Sequence, residues 1–538
     1  MNVCAQTSGD PARRCLPSRA DGYAPDVSSI TSSSSAASLP SRVRTASGDL
    51  QGAVVAPGVG AFLGIPYAAA PVGALRFADP VRFGRWDGVR DATVAGPAPI
   101  QGAPSPGRFL ADLSSPVQAE DCLNLSVWTP SPDPAAKLPV LVWFYGGAFV
   151  AGSNSVPAYD GARLAARGAV VVGVNYRLGL FGWLRSEALG TDGNQGLADQ
   201  AAALAWVHEH IAAFGGDAGN VTVFGESAGA ASIALHLAAL AAAGTAAGDL
   251  PFRRAVLQSG SFNLCSTVEE AGDTAARVLR HLDVAPAALR DLPASVLRDA
   301  QDAATPRSGG VFYRPVADGG RVPVDPGAAL ADRGVPVPVL CGTNRHEMGF
   351  FWGREERFDR ISDEFLAALA GRWHDDPAGV LDTYRRARAA RGEAVDNRSV
   401  AVAVGNDWTF RAASMALAAW QSGRPGAGAH AYRLDWCSPL HDGLIGAAHV
   451  LDVPLVFGTY DHPSVAAFCG ADVAAEAVAA VSDEMGEAWV AFARDGDPGW
   501  AAYEPQRRTT RLFGGATATA EDPEGDELRC WDARRIHR

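Results

Sequence analysis

Apolar positions along this chain fall into two patterns. "LPVLVWFY" (138–145) and "AVVVGVNY" (169–176) are continuous apolar runs bounded by turn formers, as expected for strands buried on both faces. "VTVF" (221–224), "RRAVLQSG" (253–260) and "VPVLCG" (337–342) repeat that pattern. Between them, "QGLADQAAALAWVHEHIAAFGG" (195–216) sets Leu197, Ala201, Leu204, Val207 and Ile211 near helical spacing and closes on Gly215 and Gly216. That spacing predicts an amphipathic helix with a glycine stop. Strands alternating with helices predict an α/β architecture, a mostly parallel central sheet with helices on both faces. Near the start, "VRTASGDLQGAVVAP" (43–57) alternates around turn formers and predicts an edge hairpin. From 261 to 335 and from 359 to 428 the chain turns helical and less regular, which predicts helical insertions above the sheet.

Composition narrows the function classes. The chain has 538 residues, 48% hydrophobic and 20% charged, an ordinary globular balance with ample core. Its net charge of −13 argues against a nucleic-acid partner, which selects a basic face. Residues 1–42 are polar and rich in Ser and Pro, and are expected to form a disordered extension. Residues 43–538 read as one domain. No apolar run is long enough to span a membrane, so no membrane association is expected. The eight cysteines are scattered without CxxC spacing, which predicts free thiols, no metal site and a cytoplasmic location.

"VTVFGESAGAAS" (221–232) raises the chemical question. Gly-x-Ser-x-Gly alone is weak evidence, because with 59 glycines a few tenths of a match, roughly, is expected by chance. Here a strand precedes it and an alanine-rich helix follows. A nucleophile on a sharp strand-to-helix turn requires that context, and it makes Ser227 the candidate. A nucleophilic serine also needs donors for the oxyanion that forms. The glycine run "FYGGAFVAG" (144–152) offers the backbone N–H groups of Gly147 and Ala148, and Ala228 offers a third.

These stretches, with "FLGIPYAAAPVGALRF", "EDCLNLSVWTP", "NYRLGLFGWL", "GTNRHEMGFF", "HVLDVPLVFG" and "WVAFARDGDPGW", resemble the type-B carboxylesterases of the α/β-hydrolase fold. The group includes para-nitrobenzyl-type esterases and cholinesterases, and the match runs from about Val43 onward. The resemblance implies a serine hydrolase of carboxylic esters, with Glu347 as the acid and His449 as the base. The order Ser227, Glu347, His449 is also the one expected of this fold. The base is expected to titrate near roughly 6 to 7.

His441, in the loop before His449, is the rival base. His208 and His210 read as surface or satisfied side chains, and His346 as facing away from the site. Glu226 resembles a buried family carboxylate beside the pocket, and Ser259 a serine that hydrogen-bonds near the triad. Phe350, Phe351 and Trp352 are open to both a pocket and a packing reading. Cys122 matches a family cysteine that is paired in secreted members, but Pro99 stands about where its partner would be, so a free thiol is expected. The resemblance implies no cofactor, a small-molecule ester as partner, and a monomer or small homo-oligomer. Two other functions remain open: a hydrolase specialised on carbamates, amides or a natural-product ester, and a catalytically silent cholinesterase-like binding module.

Overall fold

Strands that are apolar on both faces need a helical layer on each side, and the central sheet follows from that requirement. The computed structural model describes residues 41–102, 117–305, 312–352, 361–514 and 518–531. Its sheet contains β1 (Ala53–Ala56), β2 (Val59–Pro66), β3 (Asn124–Thr129), β4 (Leu138–Phe144) and β5 (Val170–Val174). It continues with β6 (Gly216–Glu226), β7 (Arg254–Gln258), β8 (Val339–Asn344) and β9 (Ala429–Leu434). The last two strands are β10 (Thr510–Phe513) and β11 (Ala518–Ala520).

Their order across the sheet is β11-β10-β9-β8-β7-β6-β4-β5-β3-β2-β1. From β5 to β10 every pairing is parallel, while the strands at both ends pair antiparallel. The expected hairpin is present in a separate small sheet, where Arg42–Arg44 pairs antiparallel with Asp49–Gln51. The expected extension over 1–42 falls, up to residue 40, outside the described residues.

Alternation along the strands divides the core in two. Val140, Val142 and Phe144 of β4 pack into one buried cluster, and Leu141 and Trp143 into the other. Helix α1 (Gln195–His210) covers the first face with Ala203, Leu204 and Val207. Ala201, placed on the apolar face by spacing alone, is exposed, and Trp206 packs inward in its stead. Bulk explains the difference, since an indole buries far more apolar area than a methyl group. Helix α2 (Ala228–Ala243) is apolar all round, and its buried side chains contribute to both clusters. The long helix α3 (Ala471–Asp495) covers the second face through Val478, Met485 and Trp489.

α2 leaves β6 so steeply that it crosses the end of β4 at backbone contact. A Cβ on Gly229 would sit far inside the van der Waals contact distance of the Phe144 carbonyl oxygen, and one on Gly225 would lie 2.7 Å from the same atom. Neither obstacle is the flexible end of a side chain. Gly229→Ala should therefore destabilise the protein by at least about 1–3 kcal/mol. Thermal unfolding checks this, and an unchanged midpoint would show that the crossing can relax.

Candidate active site

One residue separates β6 from α2. Ser227 has φ 54° and ψ −120°, a conformation that costs a side-chain-bearing residue about 1–3 kcal/mol. Its neighbours hold it there. The Ser227 N–H donates to the Gln258 carbonyl at 2.9 Å, and the Ser227 carbonyl accepts from the Ala231 N–H at 2.8 Å. The side chain is only partly buried, so the turn presents a hydroxyl at the C-terminal edge of the parallel strands.

The loop after β4 comes up beside it. Gly147, Ala148 and Phe149 have φ of 106°, 55° and 62°, three successive residues in a region that favours glycine. The Gly147 carbonyl accepts from the N–H groups of Val150 and Ala151 at 3.1 and 3.0 Å, and the Phe149 carbonyl from Gly179 at 2.7 Å. Below the loop, the rings of Tyr145 and Tyr176 stack at 4.6 Å, and the Tyr176 hydroxyl donates to the Tyr145 carbonyl at 2.6 Å. Among the described residues, the N–H groups of Gly147, Ala148 and Ala228 have no acceptor. Ala228 is also the first residue of α2, where backbone donors and the helix dipole favour negative charge.

Two other loops bring an acid and a base together. His449 Nδ1 lies 2.6 Å from Glu347 Oε2, and both side chains are buried. The other carboxylate oxygen of Glu347 accepts from the Asn344 N–H at 2.6 Å, which fixes its orientation. His441, the rival base, is exposed on a turn. His346 Nδ1 accepts from the Ala447 N–H at 3.1 Å, so it clasps the two loops and does not join the site. His208 is exposed, and its Nε2 lies 2.7 Å from the Pro251 carbonyl. His210 is buried, with Nε2 3.4 Å from Ser47 Oγ.

Pairing with Glu347 through Nδ1 leaves Nε2 for the serine, yet Nε2 lies 3.0 Å from Glu226 Oε1. Ser227 Oγ makes no hydrogen bond among the described residues, so the imidazole here faces the carboxylate next to the serine. Burial pulls the imidazole pKa down, but Glu226 and Glu347 outweigh it and raise His449 to about 9. That is well above the ordinary value expected from sequence. Burial raises Glu226 to about 8, against the pull of His449.

The sequence pattern did not single out several residues behind the site. Asp452 accepts from Gln258 Nε2 and from the Tyr432 hydroxyl, both at 2.9 Å, and from Asn344 Nδ2 at 3.3 Å. Burial raises its carboxyl above the usual range. The available signal was an aspartate inside the apolar run "VLDVPLVF", since a charge there demands buried partners. The rings of Phe410 and Phe351 lie tilted against the His449 ring at 4.7 and 5.2 Å, and Phe350 meets it edge-on at 6.0 Å. Trp352, by contrast, packs against Gly405. Ser259 is buried at φ 50° with no hydrogen-bond partner for Oγ. Cys122 is a buried free thiol.

The profile of the carboxylesterase family matches residues 40–514. Para-nitrobenzyl esterase of Bacillus subtilis (strain 168) is 36% identical over 488 residues, 87% of this chain and 94% of that protein. Phenmedipham hydrolase of Pseudarthrobacter oxydans is 33% identical over 471 residues, 84% of this chain and 90% of that protein. Among solved structures, the Geobacillus stearothermophilus carboxylesterase EST55 at pH 6.8 superposes with a TM-score of 0.78 at 34% identity, covering 92% of this chain and 100% of its own. The fold is that of the α/β-hydrolases.

A base held protonated by neighbouring carboxylates works only above its raised pKa. The kcat/KM for p-nitrophenyl acetate should therefore rise with pH through a value above the ordinary imidazole range. Glu226→Gln, which removes one of the two charges, should move that limb down by about one pH unit. Superimposable pH profiles for the two proteins would show that Glu226 does not act on His449.

Proposed function

The chain belongs to the carboxylesterase family and is a carboxylic ester hydrolase, and from that premise we propose that it works through an acyl-enzyme on Ser227. One observation carries the reading: a strained, partly exposed serine precedes a backbone N–H with no acceptor, and the glutamate before it faces a buried imidazole–carboxylate pair. When an ester enters, His449 Nε2 turns from Glu226 to Ser227 Oγ. The Oγ–C bond forms as the serine proton passes to Nε2, and the carbonyl electrons move onto oxygen. The N–H groups of Gly147, Ala148 and Ala228 receive that oxyanion, and one such donor is worth about 3 kcal/mol. Collapse of the intermediate breaks the bond to the alcohol, which takes its proton from His449. Water then repeats the sequence and frees the acid. Glu347 orients the imidazole and stabilises its charged form.

Phe350, Phe351 and Phe410 give the substrate an apolar wall beside His449, and Glu226 and Ser259 act from behind the site. No step needs a metal or cofactor. Residues 43–538 form the catalytic domain, acting as a monomer or small homo-oligomer on small esters. Six free cysteines among the described residues support a cytoplasmic home. Among the described residues, no helix is long and apolar enough to cross a membrane. A specialist on amides or carbamates would use the same acyl-enzyme, whereas a silent binding module would not acylate at all.

Treatment with a fluorophosphonate should add one label, on the peptide containing Ser227. His449→Ala should lower kcat at least about a thousandfold, with a smaller loss for Glu347→Gln. Labelling that persists in Ser227→Ala, or a crippled His441→Ala beside a mild His449→Ala, would overturn the assignment. Deleting residues 1–40 should leave both activity and melting temperature nearly unchanged. A loss of several degrees would mean that the deleted segment docks on the catalytic domain.

A further inference from the structure

The carboxylate of Glu524 draws three arginines together. It lies in the stretch that follows β11, at φ 56° and ψ 36°, a left-handed conformation that disfavours a side chain. Oε1 accepts from Arg345 Nε at 3.0 Å and lies 3.1 Å from Arg433 Nη1, while Oε2 accepts from Arg411 Nη1 at 3.0 Å. The backbone joins in, since the Glu524 and Pro523 carbonyls accept from Arg411 at 3.2 and 3.3 Å. Burial opposes ionisation of Glu524, yet Arg433, Arg411, Arg345 and Arg391 hold it down to about 2. The group is therefore charged at any pH near neutrality.

Two of these arginines adjoin the site. Arg345 stands two residues before Glu347 and next to Asn344, whose N–H orients the acid. Arg411 follows Phe410, whose ring lies 4.7 Å from that of His449. The same segments are joined again by Asn406, at the end of the helix Asn397–Asn406 that leads into Phe410. Asn406 Nδ2 donates to the Arg345 carbonyl at 2.9 Å, and Oδ1 accepts from the Met348 N–H at 2.8 Å. Those two bonds grip the acid loop on either side of Glu347, and Glu524 closes the circuit. Arg345 also pairs with Glu393 at 2.6 Å, and Arg411 with Asp407 at 2.8 Å. Among the described residues, only Glu524 pairs with both arginines. Desolvating so many charges offsets most of what their attraction gains, so the cluster fixes where its partners sit more than it stabilises the fold.

We propose that Glu524 is a positioning residue for hydrolysis, which anchors the acid loop to the segment carrying Phe410 and so holds Glu347 in register with His449. The proposal rests on the assignment of Glu347 and His449 above. Without the carboxylate, each arginine keeps a second partner and the fold keeps its core, but the two segments lose their shared anchor. Glu347 then drifts from His449 Nδ1, and a displacement of about 1 Å can cost on the order of a hundredfold in rate. The drift also has a sign. Burial lowers the imidazole pKa while Glu226 and Glu347 raise it, so a looser Glu347 lets it fall.

Glu524→Gln keeps the shape and removes the charge. Its kcat for p-nitrophenyl acetate, counted per serine titrated by a fluorophosphonate, should fall about tenfold or more, with KM within about twofold. The rising limb of kcat/KM should move to lower pH. Glu524→Asp keeps the charge but draws it back by one methylene. It should lose less and shift in the same direction, and it carries the test should the first variant not fold. Asp522→Asn breaks ion pairs of the same segment with Arg508 and Arg529, and should leave kcat and the limb unchanged. Three results would overturn the proposal: a loss confined to the number of titratable serines, an unmoved limb in both Glu524 variants, or an equal fall in kcat in Asp522→Asn. All three leave the acyl-enzyme reading standing. A Ser227 that takes no label would remove that reading and this proposal with it.

Discussion

One carbonyl oxygen governs the geometry of the site. The Phe144 oxygen, at the end of β4, meets Gly225 on β6 and Gly229 on α2, with no room for a side chain at either. That approach forces the chain to turn within one residue, and Ser227 absorbs the turn in a strained conformation. The glycine-rich loop of Gly147 and Ala148 leaves β4 immediately after Phe144, so the same contact also sets its distance from the serine. The strain is small against the apolar burial of the two core clusters, which is why the fold can maintain it. Relaxing the crossing would move the hydroxyl and the backbone donors together.

Electrostatics supplies the second constraint. Three buried carboxylates, Glu226, Glu347 and Asp452, surround one imidazole. Asp452 is accommodated by hydrogen bonds from Gln258, Tyr432 and Asn344. Glu226 and His449 accommodate each other, and the pair favours holding its protons. His449 rises from 6.5 to about 9, so the stability it adds is fully present below 6.5 and is lost as pH rises towards 9. Glu226 rises from 4.5 to about 8, so the fold is progressively disfavoured as pH climbs across that range. Both contributions have the same sign. The alkaline conditions that deprotonate the imidazole are therefore those in which the site lends the fold least support.

Much of this was legible in the sequence. The apolar runs became β4 to β8, and the strand–Gly-x-Ser-x-Gly–helix context located the strained serine. The resemblance pointed to Glu347 and His449, which the structure brings to 2.6 Å. What periodicity missed depends on long-range packing. Ala201 lost its place on the buried face to Trp206, because side-chain volume outweighs a spacing that drifts along a helix. Phe410 sits in an irregular insertion, where no periodicity marks which ring will meet His449. The turn of Nε2 towards Glu226 requires residues from distant segments to converge. No local pattern records that convergence.

The parallel sheet also determines when the site can exist. Parallel neighbours cannot be joined by tight turns, so each pairing from β5 to β10 waits for a crossover to be made. Ser227 lies in the first half of the chain and His449 in the last fifth, with β7, β8 and β9 laid down between them. During synthesis the strained turn and its unpaired N–H groups can form while His449 is still within the ribosome or not yet translated. A nascent chain would thus carry a strained serine without the imidazole that we propose activates it. On that proposal hydrolytic power would arrive only once the sheet is nearly complete, leaving a half-made molecule chemically inert.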